Sequence, residues 1–330
     1  MLTDYINKVL LLPFIPKSFK ARIVKQKFMD YCKYKGAPLK GIELSFNKET
    51  IEVIKGQGKK IILSQDHLIY LSDIIRLFDF YFDIVIPKIK TEGGRDYLIV
   101  DYSIPQEHTL RDSNLSFYFS SMAQGLGSAK DYLRDYALKE GDVVLDCGAY
   151  CGITTYLFSK MVGKSGRVYA LEPDDLNYKM LVKNIEKHKL TNVIPIKKGI
   201  WTSTTKLLFN AEGNLGGSVS DLVNRPFNKK LTQIEAISLH DLCRDYCLER
   251  LDFVKMDVEG AEIEAIKGAK EFIRENNINF AIASYHIVDG QETYKKIEEI
   301  FYSIGYAFET FIADEGFEHG YLMTVARKKQ

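Results

Sequence analysis

The chain has 330 residues, enough for about two domains and a substantial core, with 46% hydrophobic and 27% charged residues. That balance excludes a disordered or collagenous chain, and a net charge of +1 gives no global case for nucleic-acid binding. Five cysteines, an odd number in a chain of this length, favour reduced thiols and a cytoplasmic setting over a disulfide framework.

Residues 1–40 hold nine Lys/Arg against two Asp/Glu. Two readings of this basic start stay open: a solvated or internally docked helix, and peripheral contact with an anionic lipid or glycolipid. The apolar run Val9 to Pro16 is short, broken by Pro13 and Pro16, and lacks a small-residue cleavage site, so no signal peptide is expected. A basic helix is expected around Lys17 to Tyr34. A hairpin follows, Thr50 to Ile54 with Lys60 to Ser64 across Gly56-Gln57-Gly58. From Leu68 to Ile86 the charges at Asp73, Arg76, Asp79 and Asp83 share one helical face, which predicts an amphipathic helix and not a membrane span. Its aromatic-rich face needs a partner, either a second domain or another subunit. Tyr97 to Tyr102 reads as a strand. Residues 1–130 are therefore taken as a mixed α+β extension, a place for acceptor binding or oligomerisation. Residues 131–330 are taken as a second domain. The oligomeric state is left open.

From about residue 140, strand and helix alternate, the signature of a parallel sheet covered on both faces. The predicted strands are Val143 to Leu145, Arg167 to Leu171, Asn192 to Ile196, Leu251 to Met256 and Ile278 to Tyr285. After the second strand, Asp174 and Asp175 open a helix whose buried stripe is Tyr178, Leu181, Val182 and Ile185. After the third, Lys206 to Phe209 and Gln233 to Ile237 form a strand-like detour before a helix at Leu239 to Leu248. After the fourth, a helix lays Ile263, Ile266 and Ile273 on the sheet. The fifth strand ends at His286, and a helix follows from about Gln291 to Tyr302. Tyr306 to Ile312 and Tyr321 to Ala326 are joined by too few residues for a parallel crossover, so they must be antiparallel neighbours.

The first strand runs into Asp146-Cys-Gly-Ala-Tyr-Cys-Gly152 and then directly into an apolar helix. A dinucleotide site uses G-x-G-x-x-G to hold a pyrophosphate; here a carboxylate opens the turn, where it would repel one. A carboxylate suits a cationic ligand such as the amino-acid portion of S-adenosylmethionine. Asp146, Gly148, Ala149, Tyr150 and Gly152 are the residues expected to receive it. Glu172, at the tip of the second strand, is placed for ribose hydroxyls. Cys147/Cys151 and Cys243/Cys247 are each four apart, without the C-x2-C spacing of common zinc sites, and are read as small buried side chains.

With those residues in place the chain resembles the FkbM-type methyltransferases. The likeness is carried by Val143 to Gly152, Tyr169-Ala-Leu-Glu-Pro173, Ile237-Ser-Leu239 with Asp241, Asp252 to Glu262, Lys267-Gly-Ala269 and Ser284-Tyr-His286, spanning about residues 140–326. It implies a Rossmann-like class I methyltransferase sheet, mostly parallel with an antiparallel C-terminal hairpin. It also implies methyl transfer from S-adenosylmethionine, mostly to oxygen, on a glycan or natural product. The chain departs from the pattern with Cys147 and Cys151 in the turn and with Trp201 after the third strand. The second departure bears on the shape of an adenine pocket.

In an open α/β sheet, ligands sit beyond the C-terminal strand ends, where Asp146, Glu172, Asp257 and His286 are all expected. His286 is the leading general base, because an imidazole needs little adjustment to work near neutrality. Asp257 is expected as an alternative base, or to meet the acceptor or the donor. Glu259 is a further site residue, while Glu259 and Glu262 are also explained as first-turn acids of the next helix. A divalent cation on Asp257, Glu259 and His286 is compatible with the pattern but not predicted by it. Two rival functions are carried: a non-catalytic module binding the same donor, and a nicotinamide oxidoreductase. An amine in place of a hydroxyl acceptor also stays open.

Overall fold

The computed structural model describes residues 40–47, 49–56, 58–211, 213, 216–219, 231–313 and 321–329. The expected basic helix around Lys17 to Tyr34 lies outside them. By its contacts the chain divides into two units. One holds the residues up to Phe117 together with Ser121–Ala123, and the other holds Tyr118–Ser120 and most of the chain from Gln124 onward.

The first unit is built on a five-stranded sheet of β1 (Ile42–Phe46), β2 (Thr50–Lys55), β3 (Lys59–Ser64), β4 (Lys88–Glu92) and β5 (Arg95–Tyr102), in the order β1-β2-β3-β5-β4. Antiparallel β2 and β3 are the expected hairpin. Strand β4 was not foreseen. It is an exposed edge strand rich in lysine, which blunts pairing with other chains and hides the usual apolar alternation. The expected long helix is two short ones, α1 (Leu71–Arg76) and α2 (Phe78–Ile84). Asp73, Asp79 and Asp83 are exposed as expected, and Leu71, Ile75, Phe78 and Phe82 are buried opposite them. Neither helix has a side-chain N-cap, and their β-branched and aromatic residues are weak helix formers. Packing of the apolar face holds them, and nothing local resists the break at Leu77.

The second unit contains a seven-stranded sheet: β6 (Val143–Cys147), β7 (Arg167–Leu171), β8 (Val193–Ile196), β11 (Phe253–Met256), β12 (Asn279–Ala283), β13 (Tyr306–Ala313) and β14 (Tyr321–Lys328). Their order is β8-β7-β6-β11-β12-β14-β13. The first five run parallel, while β14 enters antiparallel against β12 and pairs along its length with β13. This is the expected α/β sheet with its antiparallel C-terminal hairpin. Strands β6 and β11 are almost wholly buried, in keeping with their continuous apolar runs, and separate apolar cores fill the two faces.

Helices α3 (Ile153–Val162) and α4 (Asp175–Lys187) follow β6 and β7. Asp174 caps α4 through the Leu176 and Asn177 amides. The buried stripe of α4 is not the one expected: it is Asn177, Met180, Leu181 and Asn184, while Tyr178, Val182 and Ile185 are half-buried. The two amides are buried because they are hydrogen-bonded, Asn184 to backbone and Asn177 to the Ser120 and Glu172 side chains. Asn184 accepts from the Tyr118 amide and donates to the carbonyls of Tyr118 and Cys151, and the Ser120 hydroxyl donates to Asn177. A hydrophobic stripe has no means of registering buried asparagines of this kind.

The detour after β8 contains β9 (Thr205–Asn210) antiparallel to β10 (Leu231–Ile237), within a separate four-stranded sheet. Trp201 is half-buried beside it, its backbone amide bonded to the Ile237 carbonyl. Helix α5 (Leu239–Asp245), capped by Ser238, leads back to β11. Helices α6 (Glu262–Gly268) and α7 (Lys270–Glu275) follow β11, with Ile266 and Ile273 buried and Ile263 half-buried. Helix α8 (Tyr294–Ser303) starts later than expected because residues 287–292 form a small two-stranded ribbon first. Among the described residues the cysteines are free. Cys151 is buried, and burial pushes its thiol up to about 12, as suits a small apolar filler. Among the described residues no helix is long and apolar enough to cross a membrane.

Candidate active site

The parallel register of β6 and β11 sets Lys255 beside Asp146. The Lys255 ammonium lies 3.2 Å from Asp146 Oδ1 and donates to the carbonyls of Gly148 (2.7 Å) and Cys147 (3.3 Å). At the start of α3, the hydroxyls of Thr154 and Thr155 donate to Asp146 Oδ2 at 2.8 and 2.6 Å. Burial alone would lower the lysine, but Asp146 and Asp257 hold it above its ordinary value, so it stays charged. This corrects the expectation that Asp146 faces the ammonium of a ligand. Its carboxylate is 0% exposed, with Oδ2 held by two threonine hydroxyls and Oδ1 ion-paired to Lys255. It fixes the glycine turn and leaves direct contact to others.

That turn also explains its glycine. Gly148 has φ +77°, and a Cβ there would stand 1.9 Å from the Asp257 carbonyl oxygen. The neighbouring strand end forbids a side chain before any ligand is considered. The amides of Gly148 and Ala149 donate to the Leu171 carbonyl, and the Tyr150 amide donates to Glu172 Oε2, which ties the turn to the end of β7. Gly152 (φ +90°) opens α3.

Glu172 is buried, and its other oxygen accepts from the Asp174 amide and, at 3.5 Å, from the Asn177 side chain. Burial pushes its carboxyl up to about 8 against the pull of these donors. A carboxylate offers about four acceptor positions, so at least one remains for ribose hydroxyls. The acid of the second strand and the turn beside it therefore fit a nucleoside-bearing donor.

The ends of β11 and β12 carry the second half of the site. Asp257 Oδ2 accepts from the Tyr132 hydroxyl at 3.0 Å, and Oδ1 lies 3.6 Å from His286 Nε2. Glu259 Oε1 is 3.7 Å from the same nitrogen, and Glu262 Oε1 is 3.0 Å from His286 Nδ1. Asp257, Glu259 and His286 thus come together as expected, with Glu262 added. Glu259 is not a first-turn acid. It sits in the turn before α6 at φ +54°, and only Glu262 begins the helix. Burial alone would lower the His286 imidazole, but Glu262 and Glu259 overcome this and hold it well above its usual range. The expected near-neutral base therefore resides here as a cation among carboxylates. The Tyr285 ring packs on His286 at 4.3 Å between centroids and meets Tyr321 edge-on at 5.5 Å.

Sequence reading gave no role to Lys255 or Tyr132, and little to Glu262. A signal for Lys255 was present: a lysine inside the apolar strand Phe253-Val-Lys-Met256 has to find a buried anion. Tyr132 precedes the motifs and carries no local signal.

Residues 146–318 match the methyltransferase FkbM domain. The chain is 27% identical to "Methyltransferase sdnD" of Sordaria araneosa, over 48% of this chain and 73% of that one. It is also 27% identical to "Hexuronic acid methyltransferase AglP" of Haloferax volcanii, over 49% of this chain and 63% of that one. A crystal structure of methyltransferase FkbM from Methylobacillus flagellatus superposes with a TM-score of 0.44 at 17% identity, covering 79% of this chain and 55% of that one.

Proposed function

Because this chain belongs to the FkbM methyltransferase domain family, and so to the S-adenosylmethionine-dependent methyltransferases, we propose that it methylates a hydroxyl of a glycan or natural-product acceptor. The observation that carries this reading is the pairing of two half-sites on one sheet. A glycine turn with Glu172 suits the donor, and Asp257 with His286 suits the acceptor. The donor supplies a methyl group on a sulfonium with a neutral leaving group, so alignment and exclusion of water account for much of the acceleration.

The turn Gly148 to Gly152 and Glu172 would hold the donor, with Asp146 and Lys255 keeping the turn in shape. The acceptor oxygen forms its new bond to the methyl carbon as the carbon–sulfur bond breaks. The hydroxyl proton passes to the carboxylates around His286, with Asp257 Oδ1 the first recipient, since Oδ2 is held by Tyr132. Tyr285, exposed and near Asp257, meets Tyr321 edge-on and offers a flat surface of the kind a sugar ring packs on. The hexuronic acid in the name of the Haloferax relative is consistent with a sugar acceptor. We place the enzyme in the cytoplasm, acting on this acceptor and not on nucleic acid, with residues 1–40 available for a lipid-borne one.

The test is product mass spectrometry after incubating the full chain with methyl-labelled S-adenosylmethionine and glycan extracts. Label is expected on a hydroxyl. Asp257→Asn and His286→Ala should lose about 10²–10⁴-fold in turnover while calorimetry still shows donor binding. Tight donor binding without turnover on any hydroxylated acceptor would favour a non-catalytic module, and nicotinamide binding in its place would overturn the reading.

A further inference from the structure

The ends of β11 and β12 hold more unanswered polar capacity than methyl transfer requires. Glu262 is 0% exposed, and among the described residues its Oε2 has no hydrogen-bond partner. His286 is 7% exposed, and neither ring nitrogen makes a hydrogen bond, although Nδ1 lies 3.0 Å from Glu262 Oε1. Unpaired polar atoms at this depth are costly unless something answers them. The charge is also unbalanced. Asp257 and Glu262 flank one imidazole, so among the described residues even an imidazolium leaves one negative charge over. Lys255 does not make up the difference, because it is committed to Asp146.

We propose that Asp257, Glu262 and His286 form a binding site for one divalent cation of the manganese and magnesium class. One donor atom from each residue lies within 4.8 Å of the others. An ion about 2.1 Å from its ligands holds them roughly 3.0–4.2 Å apart, from right-angled to opposite positions. Only one ring nitrogen can face the ion, so one of the two separations about the imidazole, 3.6 Å from Nε2 to Asp257 Oδ1 or 3.0 Å from Nδ1 to Glu262 Oε1, is a ligand–ligand distance, and each falls inside that range. If Nε2 ligates beside Asp257, its proton leaves to solvent, Nδ1 keeps its own and faces Glu262 Oε1, and the unpartnered Glu262 Oε2 turns to the ion, the arrangement that orients metal-bound histidines. Two carboxylates and one imidazole are a mixed oxygen and nitrogen set that manganese accepts readily. Tyr132 fixes Asp257 by its outer oxygen, and the Val258 amide fixes Glu262, donating to Oε1 at 2.9 Å. Solvent or acceptor oxygens fill the remaining positions. If the methyl-transfer reading holds, the ion would sit where an acceptor hydroxyl is oriented, but the site itself does not depend on that reading.

Manganese binding is measured on the full chain after chelator treatment, with no methyl donor present, so its outcome is separate from that of the enzymatic test. Loss of the free Mn2+ electron paramagnetic resonance signal should report one ion per chain, displaced by excess Mg2+. Electron spin echo modulation should show coupling to an imidazole nitrogen in the unaltered protein, a readout that needs no variant to fold. Glu262→Gln and Asp257→Asn, checked for folding by circular dichroism, should each weaken binding at least about 10-fold. Glu264→Gln, on the same helix and paired to Lys267, should leave it unchanged. Absence of bound Mn2+, binding without nitrogen coupling, or equal affinity in folded Glu262→Gln and Asp257→Asn would each overturn the proposal.

Discussion

Two neighbouring places in the second unit hold similar groups and use them differently. At the end of β6, Asp146 and Lys255 are both buried, and each is met by its partner, by threonine hydroxyls or by backbone carbonyls. At the ends of β11 and β12, Asp257, Glu262 and His286 are gathered just as closely, yet among the described residues three buried atoms there (Glu262 Oε2 and both His286 nitrogens) lack a hydrogen bond, against one, Asp146 Oδ1, at the end of β6. The difference separates architecture from chemistry. Charges that satisfy one another build the frame and are unavailable to a ligand, whereas charges left incomplete are the ones a ligand can complete.

Removing one partner from the satisfied place is the severest way to break this comparison. Lys255→Met leaves Asp146 as a buried, unpaired anion and should cost about 3–5 kcal/mol in denaturant unfolding. Adding Asp146→Leu should recover most of that loss. If the double variant is no better than the single one, the pair is not the closed unit described. Gly148→Ala comes next. The Asp257 carbonyl blocks the new methyl and φ is positive, so roughly 3 kcal/mol should be lost, together with donor affinity by calorimetry. Asn184→Ala removes three hydrogen bonds between α4 and neighbouring backbone, and should cost roughly 2 kcal/mol without altering the acceptor half-site.

The smallest effect concerns Glu172. Its folded carboxyl titrates at about 8 against 4.5 ordinarily, so the folded chain holds the proton more tightly than the unfolded one. That contribution is complete below about pH 4.5 and is lost as pH rises through 8. Thermal melts of the ligand-free protein should therefore decline between pH 7 and about 8 more steeply than those of Glu172→Gln, by on the order of 1 kcal/mol. Parallel curves would show that Glu172 is already ionised on folding.

Much of the sheet was legible because its strands are uninterrupted apolar runs bounded by glycines and acids, and because the short link after Tyr306 to Ile312 leaves only an antiparallel return. The residues gathered at the strand ends were legible for the same reason, since period and topology place Glu172, Asp257 and His286 without further knowledge. What could not be read was pairing across the chain. Asp146 looks like a ligand group until Lys255, more than a hundred residues later, is set beside it. Asn177 and Asn184 look like surface positions until their buried partners are seen, side chains for the first and backbone for the second. Glu259 leaves the helix because its backbone is left-handed, and helical spacing carries no mark of that.

The contact between Gly148 and the Asp257 carbonyl has a mechanical consequence. With no spare volume between them, the loop expected to cradle the donor and the strand tip expected to greet the acceptor move as one rigid piece. The distance separating the two reactants would then be set when the polypeptide folds, and not when they arrive.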